Sequence, residues 1–173
     1  MKKIKATLTS ERITSNTAEA QNIFVTSRFG EKSGEKILYS LSEALFLVED
    51  KKMEIVDSRD KILSQKEIMK KFEKIDKKFK TKYFVFKDLR KKGYIVKTAL
   101  KFGAEFRVYK KGEKINESHS KWILFPVSEN KQMTWQDFSA KNRVAHSTKK
   151  NLLIAIVDEE GDVSYYEIKW IRP

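Results

Sequence analysis

The chain is 173 residues long and strongly basic, with 37 Lys and Arg against 24 Asp and Glu, a net charge of +13 and an isoelectric point near 9.7. Hydrophobic residues make up 40% of it, enough for a packed core, so a disordered chain is excluded despite 35% charged residues. The absence of cysteine excludes disulfides, thiolate metal sites and cysteine nucleophiles, and two histidines, His119 and His146, are too few for a histidine-rich zinc site.

The length fits one domain of average size or two small ones. The charge favours a polyanionic partner, with RNA, DNA and an anionic membrane as candidates. The longest apolar runs are short, such as Leu152 to Val157, whereas a spanning helix needs roughly 20 apolar residues. Met1-Lys2-Lys3-Ile4-Lys5 is basic but has no apolar stretch behind it, so no signal peptide is expected. The expected location is cytoplasmic, without membrane association.

The charge is unevenly placed. Residues 1–60 carry ten basic and ten acidic side chains, residues 61–92 thirteen and four, and residues 93–173 fourteen and ten. Taken alone, the middle block reads as a solvated lysine-rich helix face.

In chain order, the first segment mixes short β-like stretches with helix. Asn22 to Thr26, with Ile23, Phe24 and Val25, predicts a strand. Ser40 is a candidate N-cap and Glu43 completes a capping box, and Leu41, Ala44, Leu45 and Val48 then recur at helical spacing. Met53 to Val56 predicts a short strand. Ser64 to about Asp76 predicts a helix with Ile68, Met69 and Phe72 inward. The lysine-rich stretch from Ile75 to Lys82 marks a domain junction, giving an N-terminal α/β domain over 1–77 and a C-terminal domain over 78–173.

The second segment reads as mixed α/β. A helix covers about Lys80 to Lys92 and Gly93 stops it. Tyr94-Ile95-Val96 starts a strand. Ala104 to Tyr109 alternates, with Ala104, Phe106 and Val108 on one face and Glu105, Arg107 and Tyr109 on the other. Lys110 to Ser118 is a polar loop. Lys121 to Val127 is almost wholly apolar and predicts a strand buried on both faces. Thr134 caps a helix running to about Ser147, with Asp137 in its first turn. Asn151 to Val157 and Val163 to Trp170 are strands joined by Asp158-Glu159-Glu160-Gly161-Asp162. There is no internal repeat or low-complexity segment.

No Walker A loop, dinucleotide fingerprint, HExxH or EF-hand pattern occurs, and no evident carboxylate cluster offers a two-metal nuclease site. Another grouping follows from the strands. Tyr109 ends one strand and His119 lies ten residues on, at the start of the returning one. In a hairpin both flank the same loop mouth, and Lys150, between a helix and a strand, can reach the same edge. A base, an acid and a cation suffice for RNA transesterification. Plainer readings stand beside this one: a packing tyrosine, a solvated histidine, and a lysine answering a helix dipole. Spacing alone supports a basic α/β protein that binds RNA or DNA.

The stretch from Lys87-Asp88-Leu89 through Lys101-Phe102-Gly103-Ala104-Glu105-Phe106-Arg107-Val108-Tyr109 resembles the catalytic-domain signature of archaeal tRNA-splicing endonucleases. Glu117-Ser118-His119-Ser120 and Arg143-Val144-Ala145-His146-Ser147-Thr148-Lys149-Lys150, running on to Val157, match the same family in the right order. Residues 1–76 resemble its N-terminal domain more weakly, chiefly around Ser40 to Glu49. The resemblance implies two small domains, the C-terminal one a restriction-nuclease-like mixed sheet with flanking helices. It implies cleavage of precursor tRNA at intron boundaries in a bulge–helix–bulge motif, without metal or cofactor, leaving 2′,3′-cyclic phosphate and 5′-hydroxyl ends.

Residue by residue, the resemblance makes Tyr109 the general base, His119 the general acid and Lys150 the transition-state cation. Lys149 is adjacent, so a register one residue off stays open. Arg143 matches an arginine that stacks on a bulge base; a second stacking arginine, found in some members, has no clear match, and neither Trp170 nor Arg172, near the expected strand end, is assigned to it. The acidic loop of Asp158, Glu159, Glu160 and Asp162 matches one that docks on another subunit, implying a homotetramer, or a heterotetramer with a structural subunit. Two alternatives remain on the same core: a non-catalytic RNA-binding or structural subunit, and a metal-dependent DNA junction nuclease.

Overall fold

The computed structural model describes residues 2–112 and 119–173. The chain divides into two compact units, 1–79 and 80–173.

The first unit is built on a five-stranded sheet. Strand β1 (Ile4–Thr9) alternates buried and exposed residues, turning Ile4, Ala6 and Leu8 inward, as a strand with one wet face must. It pairs antiparallel with β2 (Arg12–Ser15). The stretch expected to form a strand at Asn22 to Thr26 is instead inside helix α1 (Ala18–Ser27). Thr17 caps that helix, its side chain accepting from the Ala20 amide, and Ala20 and Ile23 supply the buried stripe at i, i+3 spacing. Capping and tertiary burial override the β propensity of Ile23-Phe24-Val25. Short strands β3 (Glu31–Ser33) and β4 (Lys36–Tyr39) form a hairpin.

Helix α2 (Leu41–Glu49) starts at the expected capping box: the Glu43 amide donates to the Ser40 hydroxyl, and the Ser40 amide donates to the Glu43 carboxylate. Glu43 is buried and also accepts from the Gly30 amide at 2.9 Å. Strand β5 (Met53–Val56) runs parallel to β1 and completes the order β3-β4-β2-β1-β5. Helix α3 (Gln65–Ile75) has a second capping box between Ser64 and Glu67 and buries Ile68 and Phe72 one turn apart. Phe72 meets Phe79 edge-on at 5.2 Å.

The second unit opens with helix α4 (Phe79–Lys91), stopped by Gly93 at a φ of 86°. Its sheet follows: β6 (Ile95–Thr98), β7 (Phe106–Tyr109) and β8 (Trp122–Ser128) are successive antiparallel neighbours. Helix α5 (Trp135–Ser147) carries the chain from β8 to a parallel β9 (Asn151–Val157), and β10 (Val163–Ile168) returns antiparallel at the edge. The order is β10-β9-β8-β7-β6. α5 begins at Thr134, the cap that the sequence predicts, and Asp137 completes a capping box with it. Its Ala145 packs with Ile123, Phe125, Leu152 and Ile154 of the sheet. The central position of β8 explains its apolar run: Ile123, Leu124 and Phe125 are buried, though its ends are not. The loop expected over Lys110 to Ser118 lies, from residue 113 to 118, outside the described residues.

β10 is shorter than the sequence suggests, ending at Ile168 and leaving Trp170 half exposed beyond the sheet. Its inner face is tied to α4. The Tyr165 hydroxyl donates to Asp88 Oδ2 at 2.6 Å, and Lys92 Nζ pairs with the same carboxylate at 2.7 Å. Burial, then Asp88, pushes the Tyr165 phenol above its ordinary pKa.

Candidate active site

Three sheet neighbours end at the same edge. β7 finishes at Tyr109, β8 begins just after His119 and β9 begins just after Lys150. The register makes this concrete. Val108 faces Trp122 across β7 and β8, and Trp122 faces Asn151 across β8 and β9. The Lys121 amide donates to the Val108 carbonyl at 2.9 Å, and the Asn151 amide donates to the Lys121 carbonyl at 3.0 Å. Neighbouring strands lie about 4.8 Å apart, so two spacings separate the backbones at Tyr109 and Lys150 by about 10 Å, within reach of two long side chains. His119 is exposed and flanked by a buried Ser120.

The helix end ahead of Lys150 fixes its direction. Thr148 closes α5, Lys149 takes the left-handed conformation at a φ of 56°, and two backbone bonds lock the turn. The Lys149 amide donates to the His146 carbonyl and the Lys150 amide to the Ala145 carbonyl, each at 2.9 Å. This is the Schellman pattern, with a lysine where glycine is usual. Lys149 is exposed and Lys150 half-buried. Lys150 Nζ donates to the Thr148 carbonyl at 3.2 Å. Burial, and then the positive charge of Arg107, hold the Lys150 amine below the ordinary lysine pKa. Arg107 and Tyr109 are two apart on β7 and share a face. The register sets Val108, Trp122 and Asn151 on one phase across β7, β8 and β9, so Tyr109 and Lys150, each one residue further toward this edge, fall on the other. Tyr109 itself is only 4% exposed, so the face expected to be polar is covered at this end.

Beside Lys150 the fold also opens a cleft of about 280 Å³, lined among others by Asn142, His146, Lys149, Lys169 and Trp170. The His146 and Trp170 rings lie 4.5 Å apart, and the Arg172 guanidinium sits 5.6 Å from the Trp170 ring. Sequence reasoning missed this cleft. Its signal was the basic, aromatic end of the chain, but no pattern there tells that the residues after β10 return to the C-terminal end of α5. Arg143 is exposed on α5, one turn before His146.

The acidic turn between β9 and β10 is well formed. The Asp162 amide donates to Asp158 Oδ1 at 2.8 Å, and the Glu159 amide donates to Glu129 Oε1 at 2.9 Å. Asp158 is half-buried in the turn, while Glu159, Glu160 and Asp162 are exposed. Gly161 has a φ of 92°, and a Cβ there would sit 2.9 Å from the Phe84 ring. Gly161→Ala is expected to lower stability by about 1 kcal/mol or more, read as a reduced denaturant midpoint. Among the described residues, no three His, Asp or Glu side chains gather as a metal site, and no helix is long and apolar enough to cross a membrane.

A basic α/β protein that brings a tyrosine, a histidine and a lysine to one sheet edge has the groups for acid–base chemistry on a polyanion. Comparison with known proteins makes the class specific. The tRNA intron endonuclease catalytic C-terminal domain matches residues 79–165, and the N-terminal domain of the same family matches residues 4–69. A tRNA-splicing endonuclease of Pyrococcus horikoshii is 42% identical over 172 residues, spanning 99% of this chain and 98% of the relative. One from Thermococcus kodakarensis is 43% identical over 95% of this chain and 96% of its own, and one from Methanothermobacter thermautotrophicus is 38% identical over 91% of each. The chain belongs to the tRNA intron endonuclease family.

Proposed function

We propose that this chain is a tRNA-intron lyase, an endoribonuclease that cuts precursor tRNA at the intron boundaries within a bulge–helix–bulge. Tyr109 takes the proton of the 2′-hydroxyl, and the resulting oxygen attacks the adjacent phosphorus. The 5′-oxygen leaves with a proton from His119. Lys150 offsets the charge that builds on the phosphoryl oxygens. The P–O5′ bond breaks as the P–O2′ bond forms, so the products are a 2′,3′-cyclic phosphate and a 5′-hydroxyl. The observation that carries this reading is the meeting of three strand ends, β7, β8 and β9, at one edge, with Tyr109 and Lys150 on the same phase of the register.

No metal enters the scheme, because proton transfer and charge stabilisation are assigned to side chains. The cleft beside Lys150, with Arg143 on the helix above it, suits an extruded base: a guanidinium or an indole stacks on any base. The exposed edge of β10, where Tyr166 is 55% exposed, and the acidic turn suit assembly with further subunits, as a homotetramer or a heterotetramer with a structural chain.

The test is cleavage of an intron-bearing precursor in EDTA by the purified chain, with end-group analysis of the fragments. Cyclic-phosphate and 5′-hydroxyl ends support the scheme. Cleavage that needs a divalent ion, or that leaves a 5′-phosphate, sinks it. Binding should also fall steeply with salt, because grip on phosphates releases counterions; a flat response between about 50 and 200 mM salt would contradict a phosphate-dominated interface.

A further inference from the structure

The cleft beside Lys150 holds more than stacking alone requires. It lies wholly within the second unit, between the last turns of α5 and the segment after β10. Its volume of about 280 Å³ falls just below the range of about 300–1,000 Å³ usual for small-molecule sites, so it takes one flat ring system rather than a base pair. One wall is aromatic: the His146 and Trp170 rings lie 4.5 Å apart, and Trp170 stays half exposed. The cleft is also cationic. Lys149, Lys150 and Lys169 line it, and no carboxylate does. Lys149 and Lys169 are exposed, and among the described residues neither is in an ion pair.

Asn142 is the residue that neither stacking nor charge explains. It stands one turn before His146 on α5, so both side chains fall on the cleft side of the helix. The position is inside the helix, where asparagine is a poorer helix former than alanine. The Asn142 side chain is half-buried, and among the described residues its amide makes no hydrogen bond. The other amide of the cleft, on Asn151, is bonded to Glu167. A half-buried amide without a protein partner gives up water on folding and gains nothing in return. It gains a partner if a base enters. An amide sets a donor beside an acceptor in one plane, which matches the edge of a base lying against the ring wall. On the edge that carries N7, adenine offers a donor beside an acceptor, whereas guanine offers two acceptors there.

We propose that Asn142 is a specificity-determining residue, whose amide reads the N6–N7 edge of an adenine bulged out of the precursor and seated in the cleft. This rests on the reading of the cleft as the seat of an extruded base. Stacking accepts any base, so the preference among bases comes from Asn142 and not from the ring wall.

The experiment measures binding of the full chain to an intron-bearing precursor that carries 2′-deoxy nucleotides at the cut positions, so that no 2′-hydroxyl can attack. Each bulge nucleotide in turn is made adenine, guanine, cytosine, uracil or abasic. At one bulge position adenine should bind about 5- to 100-fold more tightly than the other three bases, the discrimination of one bidentate pair. N142A, which favours the helix, should abolish that preference and bind the abasic RNA as wild type does. The same order of bases should appear in kcat/KM on the cleavable RNAs. No base preference at any bulge position, a preference that survives N142A, or an N142A loss that the abasic RNA shares would each overturn the proposal. Adenine-selective binding through Asn142 by a chain that leaves cleavable RNA uncut would sink the lyase reading and keep this one. Cleavage with no base preference would do the reverse.

Discussion

His119→Ala should slow cleavage of a bulge–helix–bulge precursor by about 10²–10⁴-fold at saturating RNA, with little change in affinity. The expectation follows from the leaving group. An alkoxide expelled from phosphorus is too basic to depart without a proton, and in the proposed scheme His119, exposed between β7 and β8, supplies one. A substitution that removed only a binding interaction would raise KM and spare the rate. A sharper discrimination uses a substrate whose scissile 5′-oxygen is replaced by sulfur. A thiolate leaves without protonation, so the alanine variant should regain most of its lost rate on that substrate. A deficit that persists with sulfur would mean that His119 does not act as the acid, and a loss below about tenfold on the natural RNA would remove it from the chemistry altogether.

Much of the molecule is legible in the sequence because its signals are local. The capping box at Ser40 and the cap at Thr134 each mark a helix start, and a third box, at Ser64, appears only in the structure. β5 and β9 have the bounds expected from their apolar runs. The antiparallel pairing of β7 with β8, which carries Tyr109 and His119 to one end, follows from alternation in one strand and an apolar run in the next. The rest depends on tertiary context. Ile23-Phe24-Val25 has strand composition, yet Thr17 and Ala20 commit it to α1. Tyr109 falls on the polar phase of its strand, yet the end of the sheet covers it. The cleft beside Lys150 brings residues 142–151 against 169–171, a meeting that no periodicity encodes. The choice between Lys149 and Lys150 is likewise invisible in a Lys-Lys pair. The left-handed cap turns the first outward and gives the second a half-buried place near Arg107.

That placement leads to the second large effect. Lys150→Ala should cost about 10²–10³-fold in cleavage, the usual loss when a preorganised charge facing a transition state is removed. The pH dependence gives a more particular signature. Burial and Arg107 both disfavour the ammonium form, so Lys150 gives up its proton at a lower pH than an ordinary lysine. In the proposed scheme the reaction needs the cation, and activity carried by it is present below that pKa and lost as pH rises through it. The fall in kcat/KM, which reports the free enzyme, should therefore begin below the ordinary lysine range of about 10.4. Arg107→Gln removes the second cause, raises the Lys150 pKa and should move the alkaline limb to higher pH. Lys150→Arg keeps its charge throughout and should abolish that limb, at a lower plateau because the guanidinium is larger than the site built for an amine. A limb that stays in place in both variants would belong to some other group, and Lys150 would then be a positioning residue held by its helix cap.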